Sequence, residues 1–209
     1  MADHGDRSTA LAELYGVSRE SLDRLRRYVD LLKLWQTRVN LIGPATVEVV
    51  WERHILDSLQ LIPLLPPGTK TIAELGSGAG LPGLVLAIAT GIEVHLYDSN
   101  SKKAAFLTEA IRVAGARASV HTVRLESITA TVVPQVECVV ARALAPLPLL
   151  LDYAQPFFSV GATGLFHKGQ DVELELTEAK KYWRLNYKKH QSVCDSRGVI
   201  LDICEAIRV

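Results

Sequence analysis

The spacing of apolar residues changes near residue 68. Before it, Leu22, Leu25, Tyr28, Val29, Leu32 and Trp35 recur at helical intervals, with Arg24, Arg26, Arg27 and Asp30 between them. This pattern predicts mostly helical structure over residues 8–65. Thr46 is placed to cap a second helix reaching Leu61, and Ile62-Pro-Leu-Leu-Pro-Pro-Gly ends it, because proline removes a donor. Beyond that point short apolar runs predict strands at 71–75, 92–98, 118–123, 136–141 and 161–168. Helical patterns fall at 82–90, 101–114 and 147–158, and a charged stretch from Asp171 to Tyr187 reads as a long helix. Late runs at His190–Cys194 and Val199–Ile207 read as a hairpin around Ser196-Arg197-Gly198. Alternating strands and helices imply an α/β fold with a mainly parallel, doubly wound sheet. The expectation is one domain over 1–209, with a helical extension (1–68) and an α/β core (69–209).

Ligands of such sheets gather at the carboxyl ends of the strands, so those ends hold the candidate chemistry. The first is Glu74-Leu75-Gly76-Ser77-Gly78-Ala79-Gly80-Leu81-Pro82-Gly83. Its glycines let the backbone turn sharply and approach a ligand, while Pro82 suits a first helical turn. The free N–H groups of that turn would face the ligand. Gly78-x-Gly80-x-x-Gly83 also fits a dinucleotide fingerprint, or a tight turn that only packs helix on strand. The acidic Glu74 favours S-adenosylmethionine, whose amino-acid end carries an ammonium, over a pyrophosphate that would repel it. Asp98, ending the second strand, can accept from two ribose hydroxyls or cap the next helix.

The third strand ends at Arg124-Leu125-Glu126, where Glu126 could accept from an adenine amine and a main-chain N–H could reach a ring nitrogen. The fourth ends at Arg142, between apolar flanks and suited to a carboxylate or phosphate. The fifth ends at Lys168, which would face the substrate. Arg53, His54, Asp57 and Ser58 form a polar strip opposite Trp51, Ile55, Leu59 and Ile62, either a plain amphipathic helix or a lid hinged near Asn40.

Bulk properties narrow the field only slightly. Of 209 residues 48% are hydrophobic, enough for a well-buried domain. Lys+Arg and Asp+Glu are both 23, so any nucleic-acid surface has to be local. Two basic strips qualify: Arg24, Arg26, Arg27, Lys33 and Arg38, and then Lys180, Lys181, Arg184, Lys188 and Lys189 interleaved with Tyr182, Trp183 and Tyr187. Cys138, Cys194 and Cys204 lack pairing or zinc spacing, no metal-ligand cluster is evident, and no signal peptide or membrane span is read. A reduced cytoplasm is the expected location.

Taken in order, several blocks resemble the RsmG/GidB family of bacterial methyltransferases. They are Val39-Asn40-Leu41, Trp51-Glu-Arg-His-Ile-Leu-Asp-Ser, the glycine block from Glu74, Asp98-Ser99 with Lys102-Lys103, and Ala141-Arg-Ala-Leu-Ala-Pro-Leu. The resemblance runs from about Trp35 to the end. It implies a Rossmann-like class I S-adenosylmethionine-dependent methyltransferase fold. That fold is a seven-stranded, mainly parallel sheet with a C-terminal antiparallel hairpin. It implies methylation of guanine N7 in 16S rRNA, with the RNA or the small ribosomal subunit as partner and a monomeric enzyme. It also implies cofactor contacts from Gly76, Leu81, Leu125, Glu126 and Arg142. Guanine N7 bears a lone pair and no proton, so no general base is required, and none is evident at a strand end. Arg142 is assigned to the cofactor or a phosphate, since bidentate binding to O6 and N7 would block the target atom. Lys168 is the candidate donor to O6, or else a phosphate contact or a plain surface lysine. The competing readings are a small-molecule methyltransferase, an NAD-dependent dehydrogenase and a non-catalytic RNA-binding module.

Overall fold

The strands are β1 (Thr71–Leu75), β2 (Glu93–Tyr97), β3 (Ala118–His121), β4 (Cys138–Arg142), β5 (Thr163–Lys168), β6 (Trp183–Gln191) and β7 (Val199–Arg208). In the computed structural model, which describes residues 13–209, they form one sheet in the order β3-β2-β1-β4-β5-β7-β6. The first five are parallel; β7 runs antiparallel between β5 and β6. Strands β1 and β4 are neighbours, with Leu75 opposite Ala141. The strand order reverses between them, which is where open α/β sheets bind ligands.

Both faces of the sheet are covered, so its central strands are mostly apolar on both sides. Helices α1 (Arg19–Gln36), α3 (Gly83–Thr90) and α4 (Ser101–Ala114) pack on one face, over Ile72, Val94, Leu96 and Val140. Helices α5 (Leu147–Phe158) and α6 (Val172–Ala179) pack on the other, over Ala73, Leu75, Val139 and Phe166. Helix α1 starts at Ser18, whose hydroxyl accepts from Ser21 N at 3.1 Å, and it buries Leu25, Tyr28 and Leu32 completely. Each such side chain contributes about 1.5–3 kcal/mol. In α4 the Asn100 carboxamide caps Lys102 and Lys103, and left-handed Gly115 closes the helix.

Three expectations are revised. The charged stretch after Asp171 is not one long helix: α6 ends at Ala179 and β6 begins at Trp183. Trp183, Leu185 and Tyr187 turn inward while Arg184, Asn186 and Lys188 are exposed, a period of two that makes the stretch a strand. Thr46 caps no long helix. The segment instead breaks into a 3₁₀ turn (Pro44–Thr46), a π-helical turn (Trp51–Ile55), a short α2 (Leu56–Leu59) and a second 3₁₀ turn (Ile62–Leu64). Pro82 stands at the N-cap of α3, which starts one residue later. The helical expectation for residues 8–12 falls outside the described residues.

The helical extension is bonded to the glycine loop at a buried point: Tyr28 Oη donates to Ala79 O at 2.7 Å. Tyr28→Phe strands that carbonyl and is expected to cost about 1–3 kcal/mol in urea unfolding. An unchanged midpoint would show that the hydroxyl does not hold the loop.

Candidate active site

The glycine loop leaves β1 through three left-handed glycines, Gly76 (φ 67°), Gly78 (φ 55°) and Gly80 (φ 81°). Substituents are also excluded by space. A Cβ on Gly76 would lie 2.5 Å from Leu144 Cδ1, and one on Gly80 2.7 Å from Leu84 Cβ. Asp98 holds the loop from the side, its Oδ2 accepting from Gly78 N at 2.8 Å and its Oδ1 from Asn100 N at 2.7 Å. Each oxygen keeps a lone pair for a further donor.

Glu74 holds the loop from beneath. Its Oε1 accepts from Gly83 N at 3.0 Å, at the start of α3, and the residue is 1% exposed. Oε2 has no hydrogen-bond partner. Burial raises its pKa from 4.5 to about 8, against the lowering effect of the Gly83 and Ser77 hydrogen bonds and of Arg142. Glu74 thus braces the glycine loop from within the fold. Glu74 is walled in beneath the loop, lines none of the three clefts around it, and holds its proton near neutral pH.

Two clefts flank the loop. One, of about 260 Å³, is lined by Tyr97, Asp98, Leu125, Glu126, Leu144 and Tyr153. The other, of about 250 Å³, is lined by Ile42, His54, Ser77, Leu81 and Arg142. Gly76, Lys103 and Ala143 belong to both. A third cleft of about 210 Å³ lies beyond Arg142, bordered by Arg53, Asp57, His167, Lys168 and Asp195. Ala143 borders all three and has φ 51°, a left-handed strain unusual for a residue with a Cβ.

Arg142 is the hub between the second and third clefts. Its Nη2 donates to His54 Nδ1 at 2.6 Å, and Nη1 lies 2.9 Å from Asp57 Oδ2. The second contact is Coulombic, without an aligned N–H, so Nη1 keeps an unspent donor. The first contact fixes the polarity of a chain. His54 must accept at Nδ1, so Nε2–H points to Thr46 Oγ1 at 2.7 Å, and Thr46 donates to Gly43 O at 2.7 Å. Burial, then the Arg142 and Arg53 charges, lower the His54 pKa to about 4, which keeps the ring neutral. His167 Nε2 donates to Asp57 O at 2.8 Å, and burial lowers its pKa as well. Arg53 donates to Cys194 O at 3.2 Å, and Gln60 accepts from Val193 N at 3.0 Å. The extension thus touches both β4 and the β6–β7 loop.

Most of the anticipated residues converge here. Gly76, Gly78, Gly80, Leu81 and Asp98 form the loop and its side wall, while Leu125 and Glu126 form a 3₁₀ turn at the rim of the first cleft. Glu126 Oε1 accepts from Tyr153 Oη at 2.8 Å, leaving its other oxygen available. Lys168 meets partners within the fold. It borders the third cleft, but its ammonium is committed to Glu175 at 2.5 Å and Ala145 O at 3.0 Å, which brace the turn after β4. Of the polar strip, Ser58 is buried and donates to His54 O, so only Arg53, His54 and Asp57 face the clefts. Both basic strips are partly spent: Arg24 donates to Ala114 O and Gly115 O, Lys189 pairs with Glu173, and Trp183 is buried. Ala143, Tyr153, His167 and Asp195 were not anticipated. They come from four separate places, the turn after β4, α5, β5 and the hairpin loop, which only the fold brings together. Among the described residues no group of three or more His, Cys, Asp and Glu could hold a metal ion, and no helix is long and apolar enough to cross a membrane.

A loop of this kind at a strand-order reversal is shared by many proteins, and comparison narrows the choice. The model of the GidB family, rRNA small subunit methyltransferase G, matches residues 21–204. The chain belongs to this family. Relatives called Ribosomal RNA small subunit methyltransferase G include one from Rhodospirillum rubrum, 48% identical over 192 residues, covering 92% of this chain and 94% of the relative. One from a Bradyrhizobium species is 50% identical over 202 residues, covering 95% and 90%. Among solved structures, a SAM-dependent methyltransferase from Aquifex aeolicus matches with TM-score 0.55 at 15% identity, over 80% of this chain and 100% of that one. A ribosomal protein L11 methylase from Lactobacillus delbrueckii matches with TM-score 0.53 at 17% identity, over 71% and 76%. At such identity they show the fold, and the expected class I architecture with its antiparallel end is found. GidB proteins are S-adenosylmethionine-dependent methyltransferases, so the dehydrogenase reading falls.

Glu74 gives a signed pH test. Its folded pKa of about 8 exceeds the ordinary 4.5, so folding takes up a proton between those values. Its contribution to stability is therefore lost as pH rises from about 4.5 through 8. Glu74→Gln, neutral at every pH, removes this dependence. Urea unfolding from pH 5.5 to 8.5 is expected to show the variant gaining on wild type as pH rises. His54, which acts in the opposite sense at lower pH, is common to both proteins and cancels in the difference. Parallel curves would contradict a protonated Glu74.

Proposed function

We propose that the chain transfers a methyl group from S-adenosylmethionine to N7 of a guanine in 16S rRNA. The observation that carries this reading is the pair of clefts joined across Gly76 and Ala143, at the start of the glycine loop, in a chain of the GidB family. The residues suit the cofactor. Asp98 has lone pairs left for two ribose hydroxyls. Glu126, with a free oxygen, and the Leu125 segment edge the adenine end. Gly76, Gly78 and Leu81, which border the second cleft, leave room along the backbone for the amino-acid end. Bound there, S-adenosylmethionine supplies an electrophilic methyl group.

The chain's own task is then to position a base and exclude water. The target guanine enters the third cleft, beyond Arg142, and presents N7 toward the shared wall at Ala143. N7 needs no deprotonation, and the neutral His54 is locked between Arg142 and Thr46, so it is not free to act as a base. Arg142 is a positioning residue that fixes the wall between cofactor and base, with Nη1 spare for a polar atom of either. Lys168 supports the turn from behind instead of meeting O6.

Mass spectrometry of nucleosides from 16S rRNA treated with the protein and labelled S-adenosylmethionine is expected to show label in N7-methylguanosine. Label only in a small metabolite, or none, would overturn the reading. Asp57→Asn removes the charge that holds Arg142. It is expected to lower kcat/KM for RNA by roughly 100-fold, the scale of a misplacement near 1 Å, with little change in S-adenosylhomocysteine affinity. Turnover within about threefold of wild type would show that the Arg142–Asp57 pair positions nothing.

A further inference from the structure

A pocket outside the three clefts takes no part in the methyl transfer. It is lined by Leu34, Trp35, Arg38, Val39 and Lys102, between the C-terminal end of α1 and the first turn of α4. Its floor is apolar: Leu34 is 65% exposed, and Trp35 is half-buried with its edge against Phe106. Its rim carries the exposed cations Arg38 and Lys102. The loop forming one wall is held rigid. Gln36 Oε1 accepts from Leu41 N at 2.9 Å and Ile42 N at 3.0 Å, while its Nε2 donates to Ile42 O at 2.8 Å. The same loop runs on into the second cleft through Leu41, Ile42 and Gly43, and Lys102 is followed by Lys103, shared by the first two clefts. The pocket therefore lies beside the second cleft, which itself adjoins the third through Arg142 and Ala143.

We infer that this pocket seats an unpaired RNA nucleotide flanking the target guanine, its base against Leu34, Trp35 and Val39 and its phosphate between Arg38 and Lys102. The inference rests on the rRNA reading above and names a binding point for that substrate. The chemistry is complementary on both counts. A base offers a flat apolar face to an aromatic-lined floor, and a phosphate offers the anion that two cations at its lip require. With net charge zero over the whole chain, attraction for RNA has to come from such local placement. A small apolar molecule would leave the two cations uncompensated.

The test is steady-state methylation of naked 16S rRNA and of intact small subunits by wild type, Leu34→Ser and the Arg38→Glu/Lys102→Glu double variant. All three side chains are on the surface, and calorimetry with S-adenosylhomocysteine checks that the cofactor site is intact. The double variant is expected to raise KM for both RNA substrates at least tenfold with kcat and S-adenosylhomocysteine affinity unchanged. Its log–log salt dependence should be shallower by about 0.7 for each phosphate that is no longer neutralised. Leu34→Ser should raise KM without altering the salt slope, which separates stacking from charge. KM within twofold of wild type for the double variant overturns the inference and leaves the methyltransfer reading standing. A defect on intact subunits alone overturns it too, since the pocket would then be reading a ribosomal protein. If wild type forms no N7-methylguanosine on either substrate, the inference falls with the reading beneath it.

Discussion

Everything at this site depends on a glycine loop held open by side chains that reach it from three elements. Asp98, just after β2, takes Gly78 N; Glu74, within β1, takes Gly83 N; Tyr28, from α1, gives its hydroxyl to Ala79 O. None of the three is next to the loop's centre in sequence, and each satisfies a backbone group that glycine leaves exposed. The left-handed glycines make the turn possible, and the side chains make it one conformation. A loop fixed before the ligand arrives spares binding the cost of ordering it.

The second dependency is the polar chain through Arg142. Arg142, His54, Thr46 and Gly43 form a directed series of hydrogen bonds that ties the end of β4 to the loop after α1. Asp57 and His167 close it on the side of β5. Partly buried networks of this kind gain little while whole and lose much when one member is removed. The strained Ala143 follows Arg142 directly. Strain at that point persists because Leu144 packs over Gly76 and Lys168 braces Ala145. The helical extension is thus part of the active site, supplying one wall and the side chains that orient Arg142.

The βα core was legible because its strands are short apolar runs and its helices are bounded by strong caps, as α4 is by Asn100 and Gly115. The loop residues and Asp98 could be placed for the same reason, by their position at strand ends. Strand β6 was not legible, since Arg184, Lys188 and Lys189 hide the alternation of Trp183, Leu185 and Tyr187 within a charge-rich stretch. Segment 44–64 defeated a single-helix reading because its side chains satisfy contacts with distant elements, Arg142 and the β6–β7 loop, at the expense of regular helix. Glu74 and Lys168 show what a strand-end position leaves open. Each sits at a strand end, but burial in one case and Glu175 in the other direct the charge away from the clefts. Strand-end position says where a side chain starts, and only the packed structure says what it meets.

The preformed loop can be examined directly by amide hydrogen exchange in the free protein, read by NMR at Gly78 and Gly83. With Asp98 and Glu74 as their acceptors, both amides are expected to exchange far more slowly than exposed loop amides, and to change little when S-adenosylhomocysteine is added. Exchange at the rate of an unstructured loop, slowing only on adding ligand, would contradict an active site set in place by these side chains before binding.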